Sequence, residues 1–314
     1  MTLAKYCNNL PQLGGKIFLT DGGLETTLLF LEGFNLPHFA AFDLLKTSEG
    51  RIAIHDYLLT YVDVAKQNGT GIVLDTPTWR ASSDWGNLLG YSRKDLDRVN
   101  QDAVKMLHDI RSTHETEETT CVVNGVVGPR SDGYNPAFLM TSKEAQSYHQ
   151  SQIQSFSSSH ADMITAVTMT YIDEAIGITK AAQEVGIPVV VSFTPETNGR
   201  LPNGMSLKNA VELTDEATNA GPAYYMINCA HPTHFDHTLT SNEKWLNRIG
   251  GLRANASALS HSELDEAEEL DDGNPSEFGN QHLAMKEFLP NLAVVGGCCG
   301  TDHRHVHAAH GHFQ

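Results

Sequence analysis

The 314-residue sequence predicts an α/β fold, eight strand–helix units closed into one (β/α)8 TIM barrel, and three observations carry that expectation. Eight short runs rich in Val, Ile and Leu recur along the whole chain. Each run ends in small or polar residues. Amphipathic stretches with helix-start and helix-stop residues lie between them. Strand–helix alternation repeated eight times is the pattern of a closed parallel barrel; an open doubly wound sheet is the alternative it leaves.

The runs are "KIFLTDGG" (16–23), "GIVLDTPTW" (71–79), "CVVNGVVGP" (121–129), "DMITAVTMT" (162–170), "PVVVSFTPE" (188–196), "YYMINCAHP" (224–232), "RIGGLRANAS" (248–257) and "LAVVGGCCG" (292–300). They are near-continuous rather than alternating, as strands covered on both faces should be. The segment 50–69 carries apolar residues at helical spacing and stops at Gly69. The segment 92–112 opens on Ser92, and 141–161 opens on a capping-box pair, Thr141 and Glu144. "YIDEAIGITKAAQEVGI" and "SLKNAVELTDEATNAG" each run to a glycine. About 55 residues separate the first two runs, more than one βα unit needs, so an extra excursion is expected near 29–50. The acidic stretch 261–281 reads as a long βα insertion whose charges mostly face solvent. No linker divides the chain, so residues 1–314 read as a single domain.

Composition narrows the function. Apolar residues make up 40% and charged residues 19%, enough for a large core, and the formal net charge is −17. Lys and Arg form no basic stripe, which argues against nucleic acid and anionic membrane as partners. No apolar run approaches the ~20 residues of a membrane span. The opening "MTLAKYCNNLPQLGG" lacks the apolar core of a signal peptide. Five cysteines are too few for a disulfide scaffold, so free thiols in the cytoplasm are expected. A homo-oligomer is compatible with the sequence but not specified by it.

In a barrel of this type the chemistry gathers where strands end and βα loops begin. Here those ends carry Asp21-Gly22-Gly23, Asp75-Thr76, Asn124, Thr168, Ser192, Asn228-Cys229, Asn255 and Cys298-Cys299. Adjacent cysteines rarely bond to each other, because that disulfide strains the peptide between them. Cys229 ends the sixth run and Cys298/Cys299 end the eighth, two positions away around a small barrel, so the three sulfurs can converge on one ion. Three thiolates with an open fourth position describe a catalytic Zn²⁺ site. Cys7 and Cys121 read as packing residues.

Together, "DGGLETTL", "INCAHP" and "GGCCGT" resemble the homocysteine S-methyltransferase family, over a stretch from about Ile17 to His305. The resemblance implies zinc held by Cys229, Cys298 and Cys299 as catalytic ligands, and methyl transfer from an onium or folate donor to a thiol, as in methionine biosynthesis. With no appended cofactor domain in the sequence, a small free donor of the S-methylmethionine or betaine type is expected. A homocysteine-like thiol with pKa near or above ~8.5 is mostly protonated at neutral pH, and zinc ligation removes that proton. The resemblance also implies substrate contacts at Asp21, Gly22 and Gly23. Glu25, Thr76, Trp79 and Asn255 complete the expected substrate-binding set. His305 matches a structural position, and the five-histidine tail (His303, His305, His307, His310, His312) reads as a terminal helix rather than a metal tract.

The match breaks around the substrates. Val167 stands where the family has a Glu that holds the homocysteine ammonium, and an alkyl group cannot replace a carboxylate. Pro77 and Trp79 stand for Asn and Tyr in the second strand motif, and Ser257-Ala258 for a Gly-Glu pair in the seventh. Two expectations follow: Glu25 takes over the ammonium, or the acceptor is a different small thiol. Trp79, Trp85, Tyr171 and Phe193 are candidates for an aromatic box around the onium. Arg80 is a candidate carboxylate partner. A zinc hydrolase is a weaker alternative, since no H-x-E or H-E-x-x-H pattern is present and three thiolates acidify water poorly. A non-catalytic zinc-binding or thiol-sensing barrel is another.

Overall fold

The computed structural model describes residues 4–134, 138–267 and 269–311. Eight parallel strands close into a barrel in chain order: β1 (Phe18–Leu19), β2 (Gly71–Asp75), β3 (Cys121–Val127), β4 (Met163–Met169), β5 (Val189–Phe193), β6 (Tyr225–Asn228), β7 (Ile249–Ala254) and β8 (Val294–Gly297). β1 completes the ring by pairing with β2 on one side and β8 on the other, through only Phe18 and Leu19. Each predicted run contains one of these strands, and the barrel, not the open sheet, is what forms.

The helices lie outside the barrel: α1 (Ser48–Gln67), α2 (Ser83–Leu88), α3 (Arg93–His114), α4 (Ser142–Ser158), α5 (Ile172–Val185), α6 (Leu207–Thr218), α7 (His261–Glu266), α8 (Pro275–Lys286) and α9 (His303–Gly311). Ser92 with Asp95 and Thr141 with Glu144 form reciprocal capping boxes at α3 and α4, each satisfying backbone donors that a helix start leaves open. Between β1 and α1 the chain makes a π-helical turn at Thr27–Leu31 and 3₁₀ turns at Pro37–Phe39 and Ala41–Lys46. Between β7 and β8 it makes α7 and α8, so the acidic stretch is part loop and part helix.

Period-two alternation sends every second strand residue into the lumen. Phe18, Val73, Val122, Met163, Val190, Met226 and Val294 form an apolar floor, closed from below by Leu10. One layer higher the inward residues turn polar. Asn124 Nδ2 donates to Asp75 Oδ1 (2.7 Å), Thr165 Oγ1 to Asn124 Oδ1 (3.1 Å), and Ser192 Oγ to Asn228 Oδ1 (2.6 Å). A polar layer this deep persists because its members satisfy one another. The larger apolar core fills the space between barrel and helices and includes Phe156 and Ile164. No helix among the described residues is long and apolar enough to cross a membrane.

Candidate metal centre and its cavity

Above the polar layer a cavity of about 430 Å³ opens at the C-terminal ends of the strands. Cys229, Cys298 and Cys299 share one of its walls, and their sulfurs all lie within 4.8 Å of one another. Cys229 and Cys298 are joined as a disulfide, with Cα atoms 5.4 Å apart; Cys299 is a free thiol 3.9 Å from the Cys229 sulfur. Among the described residues this is the one group of His, Cys, Asp and Glu side chains close enough to share a metal ion. The donor set fits zinc: tetrahedral ligation at the usual Zn–S distance puts sulfurs roughly 3.8 Å apart, which Cys299 and Cys229 already satisfy. To hold a metal the cluster would have to be reduced, with all three sulfurs as thiolates.

The backbone holds the sulfurs there. Cys229 N–H donates to Arg253 O (3.1 Å), Cys298 N–H to Ala254 O (2.8 Å), and Ala256 N–H to Cys299 O (3.1 Å), so β7 laces the two cysteine segments together. Cys229 sits at φ +52°, a left-handed conformation that costs a non-glycine residue of order 1 kcal/mol or more. Asn228, just before it, braces the turn by accepting from Thr168 N–H, Ser192 Oγ and Thr194 Oγ1. On the β1 side, a Cβ on Gly23 would run into Thr26 Oγ1 and the Cys298 carbonyl at 2.7 Å, and one on Gly22 into Tyr61 Oη at 2.6 Å. The two glycines line the cavity because the β8 turn packs directly against them.

Three residues of this site carry no family motif. The Tyr134 hydroxyl lies 3.5 Å from the Cys299 sulfur and 3.7 Å from that of Cys229. Its ring stacks on His261 with centroids 4.1 Å apart, and burial together with Cys299 holds the phenol well above its ordinary pKa. His261 Nε2 donates to the Cys229 carbonyl at 2.7 Å, tying the acidic insertion to the cysteine cluster. Arg253 rises from β7 into the lumen and binds Asp21 and Asp75 at once, while its Nε donates to Gly297 O (3.1 Å). Burial, reinforced by Asp75 and Glu25, pushes the Asp21 carboxyl up to about 7 against the pull of Arg253. Arg253 had a visible signal, a lone charge inside the otherwise apolar and small run "IGGLRA"; Tyr134 and His261 come from loop and insertion and had none.

The other expected substrate residues separate. Glu25 and Trp79 line the cavity, as does Val167. Burial pushes the Glu25 carboxyl up, opposed by Arg80 and Arg253. Thr76 also lines it, but its hydroxyl is engaged by Thr78 Oγ1 and Val126 N–H. Asn255 is not on the cavity wall; its amide is buried with neither polar atom partnered among the described residues. The four-aromatic box does not assemble. Phe193 stacks on Tyr225 outside the lumen, and Tyr171 Oη accepts from Met140 N–H. Arg80 lies against both Trp79 and Trp85. Phe30 and Phe39, from the excursion after β1, supply the aromatic lining instead.

Of the remaining expectations, Cys121 is buried in β3, where burial pushes its thiol up to about 12, and Cys7 is partly buried. His305 is fully buried, with Nε2 donating to Asp272 O (2.8 Å), and its ring meets Phe278 edge-on. His303, His305, His307 and His310 lie on α9; His312 falls outside the described residues.

Comparison with known proteins follows the geometry. No curated protein sequence matches the chain. Among solved structures, the homocysteine methyltransferase MmuM from Escherichia coli in its metallated form is similar at 18% identity and a TM-score of 0.71, covering 94% of this chain and 96% of that one. The oxidised form of MmuM gives 18% and 0.71 over 93% and 94%, and the apo form 18% and 0.66 over 95% and 96%. These likenesses share the barrel. The profile of the family described as homocysteine S-methyltransferase matches residues 18–312, nearly the whole described barrel, and the chain therefore belongs to the homocysteine S-methyltransferase family.

Proposed function

We propose that the chain is a zinc-dependent S-methyltransferase that moves a methyl group from a small onium donor, of the S-methylmethionine or betaine type, to the thiol of homocysteine. The observation that supports this most is the convergence of Cys229, Cys298 and Cys299 on one wall of a cavity sized for small molecules. Zinc held by these three thiolates would take the acceptor sulfur as its fourth donor and keep it deprotonated and nucleophilic. In the transfer a new S–CH₃ bond forms as the donor's CH₃–S⁺ or CH₃–N⁺ bond breaks. The bonding pair stays with the donor heteroatom, which leaves neutral, and the acceptor becomes a thioether.

The side chains of the cavity orient and select. Asp132, Asp265, Glu269 and Asp271 line it, and burial with Asp132 nearby raises the Asp265 carboxyl. Such an acidic rim favours entry of a cationic donor over an anionic one. Leu29, Phe30 and Phe39 offer the apolar and aromatic surface that methyl-onium groups favour. Tyr134 closes the metal wall from the β3 loop and limits water next to the sulfurs. Thiolate ligands must stay reduced, which favours the cytoplasm as the working compartment.

Val167 carries a second reading. It presents an alkyl group to the cavity, and Asp21 is held by Arg253, so a small thiol without an ammonium group would also be accommodated. The test is incubation of the reduced, zinc-loaded chain with methyl-labelled S-methylmethionine or betaine and a panel of thiols. Label in methionine is the expected result. Label in another thioether selects the second reading, and no labelled thioether from any pair overturns both.

A further inference from the structure

Most charged side chains facing the lumen are matched within the protein. Arg253 occupies Asp21 and Asp75, so neither carboxylate is open to an incoming cation. Two groups on the β1–β2 side are not matched in this way. Arg80 is 8% exposed, its guanidinium held 4.3 Å from the Trp79 ring and 3.7 Å from the Trp85 ring. Its Nε and Nη1 have no hydrogen-bond partner among the described residues, and Asp132 approaches its Nη2 only to 3.7 Å. A buried guanidinium with open donors is costly unless something completes it. Glu25, in the turn after β1, faces the same cavity and makes no side-chain ion pair at contact distance among the described residues. The two groups sense each other's charge but do not touch.

We propose that Arg80 and Glu25 form a receptor for a zwitterionic head group, the carboxylate on Arg80 and the ammonium on Glu25, so that the acceptor is an α-amino acid held from the β1 and β2 loops. A planar guanidinium fixed between two indoles presents its fork in one orientation, which suits bidentate capture of a carboxylate; a lysine there would offer only a point charge. Glu25 and Cys299 line the same cavity, so the ammonium end of the receptor shares it with the sulfurs. The ammonium role of a carboxylate on β4 is thereby moved to β1, and Val167 packs against the acceptor's methylenes. The assignment of this molecule as the methyl acceptor rests on the methyl-transfer reading; the head-group chemistry does not.

The experiment measures binding, not turnover. Calorimetry of the reduced full-length chain, with and without zinc, uses three probes: L-methionine, 4-(methylthio)butanoate, which lacks the ammonium, and 3-(methylthio)propylamine, which lacks the carboxylate. Arg80→Gln should weaken methionine and the butanoate by about tenfold or more and leave the amine within about twofold. Glu25→Gln should weaken methionine and the amine but not the butanoate. Arg80→Lys, which keeps the charge and is less disruptive to the indole sandwich, should lose only a few-fold on the two carboxylates. Equal weakening of all three probes by either neutral variant, no weakening at all, or no methionine binding to the wild type overturns the receptor. The selective pattern without any methyl transfer leaves the receptor standing and removes the reaction; transfer without the pattern does the reverse.

Discussion

On the β6–β8 side of the cavity three soft sulfur donors are positioned by backbone hydrogen bonds between neighbouring strands, Cys229 to Arg253 and Cys298 to Ala254. On the β1–β2 side the cavity is lined by hard charges on side chains: Asp21 and Asp75 are held by Arg253, Arg80 lies against Trp79 and Trp85, and Glu25 makes no ion pair among the described residues. The difference is one of constraint. A ligand fixed by its own strand end can be lost only with that residue, whereas a charge layer can be rearranged, provided the total balances. The sulfur side keeps the family motifs whole, whereas the charge side keeps Asp21-Gly22-Gly23 but carries Pro77 and Trp79 in place of the expected second-strand residues.

The largest effect should fall on the sulfur side. Cys229→Ser or Cys298→Ser, reduced and loaded with zinc, should fall from about one zinc per chain to below about 0.1, with methyl transfer down by at least about 10³-fold. Metal analysis after gel filtration checks the first number; full occupancy in either variant would break the comparison at its firmer half. Next comes the charge side. Arg253→Met strands two buried carboxylates and should cost about 3–5 kcal/mol in denaturant unfolding. Adding Asp21→Asn and Asp75→Asn should restore more than half of that, as expected if balance rather than identity is what the layer requires. A triple variant no more stable than the single one would show that the side chains matter individually.

Tyr134→Phe keeps the stack on His261 and removes the hydroxyl facing the sulfurs. Zinc affinity, read by competition with a chelator, should drop about tenfold, the scale of contacts that support ligands without replacing them. A loss as large as that of a cysteine variant would promote Tyr134 to an essential part of the metal wall. The smallest effect concerns the turn just past the cysteines. Although burial opposes it, the neighbouring His305 ring and the Arg304 guanidinium hold the Asp302 carboxyl below its ordinary range. A depressed carboxyl contributes stability that is present above the unfolded pKa, near ~4, and fades as pH falls toward the folded value. Asp302→Asn should therefore cost about 1 kcal/mol at pH 7, and the gap to wild type should narrow progressively below about pH 4. A gap that is constant with pH would show that Asp302 acts through geometry alone.

The fold was legible because buried parallel strands write themselves as Val and Ile runs, as in "PVVVSF" and "GIVLD". The sulfur wall was legible for a related reason: strand order in a closed barrel places the ends of β6 and β8 two apart. What escaped depends on where side chains point once regular structure stops. Asn255 lies one residue past the end of β7, where strand alternation no longer governs, and it does not line the cavity. Phe193 follows inward-facing Ser192 and so faces the helices instead. Tyr134 reaches the sulfurs from a loop after β3, and no periodicity encodes such a reach. Trp79 was expected to receive a cation, and it does, but the cation is Arg80 of the same chain.

The shortest strand of the barrel, β1, spans two residues, and its ladder to the neighbours runs only from Ile17 to Asp21. Arg253 crosses the lumen from β7 to the carboxylates that end β1 and β2, so one side chain acts as a strut over that thin seam. Opening the ring there would require separating opposite charges inside a low-dielectric space, a far steeper cost than breaking a few ladder bonds. Amide exchange at Thr20 and Gly71, whose N–H groups donate across the seam to Val295 O and Ile17 O, should accordingly resemble that of long central strands, and quicken when the strut is removed.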